Sequence, residues 1–182
     1  MYNLFGLDLK LLESEIKVGI YLGSGGERIE ELFTVERWLK ETHTNVYTSY
    51  KSAIDSFKDG NFETSIEACR TAYISMFGKF QGKEETKIVK GIFNFLEAQY
   101  HSDEIKKALR EINKQEMAEF FNENREGKLT KTKTFYMFYC MMSDYGTHRN
   151  QNNKEIPTQF DALFILRIIE SIFFWMYEKS NN

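Results

Sequence analysis

Proline is nearly missing from this chain of 182 residues: Pro157 stands alone. Proline interrupts helices and populates the turns of loop-rich folds, so its scarcity argues against a sandwich and leaves long helices unbroken. Cysteine is scarce too. Cys69 and Cys140 cannot build a disulfide framework or a four-thiolate zinc site. The three histidines, His43, His101 and His148, lack metal-ligand spacing, so neither a metal nor another cofactor is expected. Excess basic charge is absent. With 24 basic and 27 acidic residues the net charge is −3, which excludes a globally basic nucleic-acid coat but leaves room for a local basic site. A long apolar run is lacking as well. The most apolar stretch, ALFILRIIESIFFWMY at 162–177, holds Arg167 and Glu170 and is shorter than the roughly 20 apolar residues a spanning helix needs. Charges from Asp8 onward break any signal-peptide core. The expectation is a soluble, cytoplasmic protein with reduced thiols and no membrane association.

What is plentiful is apolar and aromatic. Hydrophobic residues make up 42% and aromatics 15% of the chain, enough to fill a sizeable core. Near the start, Ile16, Val18, Ile20 and Leu22 alternate with other residues, the period of a half-buried strand. Gly23-Ser24-Gly25-Gly26 ends it. This cluster lacks the Gly-Lys-Ser/Thr ending of a P-loop and reads as a turn. Residues 1–26 therefore form an N-terminal appendage whose strand offers an edge to a protein partner.

Residues 27–182 read as an all-α bundle. One long helix, or two in tandem, spans about 28–57, weakest at Thr42-His43-Thr44-Asn45. Lys58-Asp59-Gly60-Asn61 stops it and starts the next: Gly60 suits a left-handed cap and Asn61 an N-cap. Further helices are predicted over about 62–80, 84–100, 102–124, 130–145 and 158–179, with Arg125-Glu126-Gly127-Lys128 as a turn and Pro157 at a first helical position. The last helix is apolar nearly all round, with Arg167, Glu170, Ser171 and Glu178 as its polar arc. Arg167 and Glu170, three apart, can pair on that arc. Such a helix must be buried nearly all round. It is either the central rod of one bundle, or it shares itself between the bundle and a homodimer seam through Phe173, Phe174, Trp175 and Tyr177.

The stretch richest in chemistry is Ser143-Asp144-Tyr145-Gly146-Thr147-His148-Arg149-Asn150, where a helix ends and a polar loop begins. Arginine can fork two donors onto a phosphate, and histidine can move a proton near neutral pH. Between Arg125 and Glu155 there are six basic residues, among them Lys131 and Lys133, and three acidic ones. That local excess suits RNA or nucleotide phosphates, although the lysines also read as a solvated helix start.

Three features together resemble the HEPN superfamily, and within it the C-terminal domains of abortive-infection (phage-defence) proteins. The segment 52–72 is similar to a helix–"DG(D/N)"–helix with an "A-x-R-x-A" run, Tyr145-Gly146-Thr147-His148 closes a later helix, and Asp161-Ala162-Leu163 opens the last. The resemblance covers about 45–180. It implies a helical bundle that often dimerises, and, in active members, a metal-independent ribonuclease built on an arginine and a histidine separated by four to six residues. His148 matches the motif histidine. The preceding positions at that spacing, Met141, Met142 and Ser143, hold no arginine. Arg149 follows the histidine instead. Arg70 lies about 80° round its helix from Phe62, at the edge of the buried stripe, where its head can reach a cleft. The expectations are therefore His148 and Arg149 as catalytic residues, and Arg70, Asp144, Asn150, Lys131 and Lys133 as phosphate- or RNA-binding. Loss of the motif arginine leaves open a binding, dimerisation or adaptor module without catalysis.

Overall fold

Helix-breaking residues fall where the chain turns. A computed structural model describes residues 25–78, 88–89, 91–92, 95–96, 127–146 and 156–181. Five helices carry most of these residues: α1 (Gly25–Thr42), α2 (Thr44–Lys58), α3 (Phe62–Phe77), α4 (Gly127–Gly146) and α5 (Gln159–Asn181). No strand occurs among the described residues. The expected strand at 16–22 and the helix predicted over 102–124 lie outside them.

The tandem helix does divide, at His43, whose ring packs edge-on against Trp38 with centroids 4.8 Å apart. Gly60 adopts φ 76°, the left-handed conformation that costs glycine least, and the chain reverses into α3. Asn61 occupies the cap position without donating or accepting a side-chain capping bond. The hairpin is stitched from inside instead: Ser65, fully buried, donates its hydroxyl to the Ala53 carbonyl at 2.8 Å. Two boundaries differ from the sequence reading. α4 begins at Gly127, within the expected turn. Pro157 is not the first helical residue of α5, because Thr158 is the cap. The Thr158 backbone N–H donates to Asp161 Oδ2 at 2.8 Å while the Asp161 N–H donates to Thr158 Oγ1 at 3.3 Å, a reciprocal capping box that places proline one step earlier.

α3 packs against α2, α4 and α5, α2 against α1, α3 and α5, and α5 against α1, α2 and α3. The core between them is closed by Ile66, Tyr73, Phe77, Leu166, Ile169 and Phe173, each fully or almost fully buried. Each such side chain contributes about 1.5–3 kcal/mol relative to exposure. Tyr73 donates its hydroxyl to the Phe135 carbonyl at 2.8 Å and so ties α3 to α4. Gly91 meets the end of α3 so closely that a Cβ there would overlap the Phe77 carbonyl, which makes glycine a packing requirement.

α5 runs as an inner rod through the chain's own bundle. Phe173 is fully buried in the chain's own core, Tyr177 meets Trp38 edge-on, and Trp175 packs on Phe95 and Phe135 with centroids 5.4 Å away in both cases. The most exposed apolar side chains of α5 lie at its other end, at Phe160 (80% exposed) and Phe164 (55%), while Trp175 is 37% exposed. Glu170 does not belong to a solvent-facing polar arc with Arg167: Arg167 is exposed, while Glu170 is 2% exposed and faces the core. No helix among the described residues is long and apolar enough to cross a membrane.

Candidate functional site

On α3, Glu67 and Arg70 lie three residues apart and so share one face. That face borders α4, where Tyr139 and Ser143 are four apart and likewise share a face. The seam collects these four side chains around the guanidinium of Arg70, whose side chain is only 11% exposed. Arg70 Nε donates to Ser143 Oγ at 3.0 Å, Nη2 donates to the Tyr139 hydroxyl at 3.3 Å, and Nη1 stands 3.4 Å from Glu67 Oε1. The carbon of the guanidinium lies 5.4 Å from the centroid of the Tyr139 ring, within cation–π range. Ser143 donates its own hydroxyl to the Tyr139 carbonyl at 2.9 Å, which leaves its oxygen as the acceptor for Arg70. The arginine is thus oriented by neutral groups on two sides and by a carboxylate on the third.

This cluster sits at the C-terminal end of α4. Just past it, the Tyr145 hydroxyl donates to Asp161 Oδ1 at 3.3 Å, so the end of α4 is pinned to the start of α5. The bonds from Thr158, then that from Tyr145, hold the Asp161 carboxyl below its ordinary range. The base of the connection between α4 and α5 is fixed at both ends. His148, Arg149 and Asn150 lie on that connection and outside the described residues.

Of the expected binding residues, Arg70 is at the centre, and Asp144, next to Ser143 in sequence, is exposed. Lys131 and Lys133 are elsewhere. They stand 12 and 10 residues before Ser143 on a continuous helix, about 15–18 Å along its axis, so the structure does not bring them to Arg70. Lys131 is exposed and Lys133 half-buried. Among the described residues, no group of three His, Cys, Asp or Glu side chains is placed to hold a metal ion.

A second polar contact lies deeper. Tyr50 of α2 donates its hydroxyl to Glu170 Oε1 of α5 at 3.0 Å, inside the core. Burial, and then the neighbouring Glu170 carboxyl, push the Tyr50 phenol well above its ordinary pKa. The same two causes, in the same order, push the fully buried Cys69 thiol up and keep it protonated and unreactive. Cys69 is therefore a core thiol, as the apolar stripe around it implies.

Glu67 and Tyr139 were not singled out from sequence, and Ser143 only as the start of the stretch that closes α4. The usable signal was the pairing of spacings: Glu67 three before Arg70, and Tyr139 four before Ser143, on helices that the apolar stripes turn toward each other. Comparison of the chain with family models, with curated proteins and with solved structures finds no match.

Proposed function

We propose that this chain is an RNA- or nucleotide-directed HEPN-like domain of a bacterial phage-defence or toxin system, in which Arg70 supplies from α3 the guanidinium that the family motif carries on the helix before its histidine. The observation that carries this reading is the 3.0 Å bond from Arg70 Nε to Ser143 Oγ. Ser143 is separated from His148 by four residues, one of the spacings at which the motif arginine stands. The missing arginine is replaced in space although not in sequence.

The chemistry follows from the two groups. The 2′-hydroxyl of RNA attacks the adjacent phosphorus, its proton passing to His148, and the bond to the 5′-oxygen of the next nucleotide breaks as that oxygen takes up a proton. Arg70 stabilises the charge building on the phosphate oxygens. Arg149, beside His148, and Asn150 add donors for the same phosphate. A second copy, docked through Phe160 and Phe164 of α5, completes a shared cleft. A second reading is a binding or adaptor module without cleavage. The Glu67 carboxylate beside Arg70 favours it, since the guanidinium already has an anionic neighbour.

One assay separates these. Wild-type protein, Arg70→Met and His148→Ala are each incubated with total RNA in EDTA. Cutting by wild type alone supports the nuclease. RNA binding without cutting, weakening steeply with salt, supports the module. Neither cutting nor binding by wild type overturns both readings.

A further inference from the structure

The geometry points to Glu67 as an internal stand-in for the ligand: its carboxylate clasps Arg70 and must leave when a phosphate arrives. This inference rests on the phosphate-directed reading above and adds to it a mode of self-inhibition.

Three observations carry it. The first is the quality of the contact. A well-made bond from a guanidinium to a carboxylate measures about 2.7–2.9 Å, whereas Arg70 Nη1 and Glu67 Oε1 are 3.4 Å apart. The neutral partners hold Arg70 at least as closely, at 3.0 Å and 3.3 Å. The second is the state of the other carboxylate oxygen. Glu67 Oε2 is shut off from solvent and accepts no hydrogen bond among the described residues. Enclosing an anionic oxygen without a donor is costly, so the clasped state of Glu67 carries its own penalty. The third is the exit. The Glu67 side chain as a whole is 37% exposed, whereas that of Arg70 is 11% exposed. A change of rotamer carries the carboxylate into water, where it is fully hydrated, while Arg70 stays anchored on Ser143 and Tyr139.

The arrangement is therefore asymmetric: the cation is fixed and the anion is exchangeable. A phosphate oxygen entering along the Nη1 edge replaces Glu67 charge for charge and accepts a shorter bond. Binding affinity is then the difference between two anions competing for one guanidinium. An anion of ordinary strength is kept out, and the site accepts a polyanion whose neighbouring phosphates supply the extra affinity.

The test is a double-mutant cycle read by fluorescence anisotropy with a labelled single-stranded oligoribonucleotide at fixed salt, using wild type, Glu67→Gln, Arg70→Gln and the double variant. Removing the competing charge should tighten binding about tenfold in the presence of Arg70 and leave it unchanged in its absence. Three results overturn the clasp. An equal gain in both backgrounds would mean a general charge effect. No gain in Glu67→Gln, with binding lost in Arg70→Gln, would leave the phosphate-directed reading standing and remove the clasp alone. No binding by any of the four would remove both. If Arg70→Gln lowers helix content by circular dichroism, Arg70→Met fills the same seam and takes its place in the cycle.

Discussion

Between α2 and α5 the carboxyl group of Glu170 belongs to a residue 2% exposed and meets Tyr50 at 3.0 Å, whereas between α3 and α4 the carboxyl group of Glu67 belongs to a side chain 37% exposed and meets Arg70 at 3.4 Å. Both seams put an acidic residue where two helices touch. What differs is depth. The inner carboxyl is shut off from solvent, so its hydrogen bond is kept for as long as the helices stay packed. The outer one lies a rotamer away from solvent, and its contact can be broken while the helices stay packed. Depth thus sorts polar contacts in one bundle into those that hold the fold and those that remain exchangeable with solvent.

The sharpest way to break this comparison is to make the same substitution in both seams. Tyr50→Phe keeps the ring packed edge-on against Phe173, with centroids 6.1 Å apart, and takes only the donor from Glu170. A buried acceptor then loses its partner, at a cost of about 1–3 kcal/mol in urea denaturation. Tyr139→Phe takes a 3.3 Å acceptor from an arginine that keeps Ser143, at a cost of about 0.5 kcal/mol. On the proposed function its larger effect falls on RNA affinity, which Tyr50→Phe leaves unchanged in the folded protein. Equal losses of stability in the two variants would erase the distinction.

The alkaline limb of stability sharpens it further. Burial raises the Tyr50 and Tyr73 phenols and the Cys69 thiol above their ordinary values. Each keeps its proton longer in the folded chain than in the unfolded one. Their contribution is fully present below the unfolded pKa values, about 8.5 for thiol and 10 for phenol, and is lost as the pH rises beyond them. Midpoints measured from pH 7 to 11 should fall progressively above about pH 9, and Cys69→Ala should lessen the slope. A flat profile to pH 11 would contradict the depth assigned to these groups.

How much of this was legible in the sequence follows the same division. The break at His43, the left-handed Gly60 and the Phe62–Phe77 stripe are local features, written in spacing and in backbone preference. They could be read directly because a helix repeats every 3.6 residues whatever it packs against. Glu170 was misassigned for the opposite reason. Its wheel position lies at the edge of the polar arc, and only the partner across the interface, Tyr50, turns that edge inward. The Arg70 seam joins residues 69 and 73 positions apart, so Tyr139 and Ser143 were invisible as its partners although Arg70 itself stood out. Proximity along the chain does not set distance in space: Lys131 and Lys133 add to a local charge count, and the rise of α4 puts them about 15–18 Å from Ser143.

A small effect is also expected at Asp161, which joins the end of α4 to the start of α5. Its carboxylate accepts from Thr158 and Tyr145 and titrates below its ordinary range for that reason. Stability from this group is present above an ordinary carboxyl pKa of about 3.9 and disappears as the pH falls through the lower folded value. Asp161→Asn keeps an acceptor oxygen but loses the charge, so it should cost less than about 1 kcal/mol at pH 7 and shrink as acid protonates the wild type. The curves of variant and wild type should converge below pH 3. Because Tyr145 lies two residues past Ser143, the same variant tests how rigidly the Arg70 seam depends on this closure: an unchanged RNA affinity would place the seam's order in the α3–α4 contact alone, and a lower one would make Asp161 a positioning residue for it.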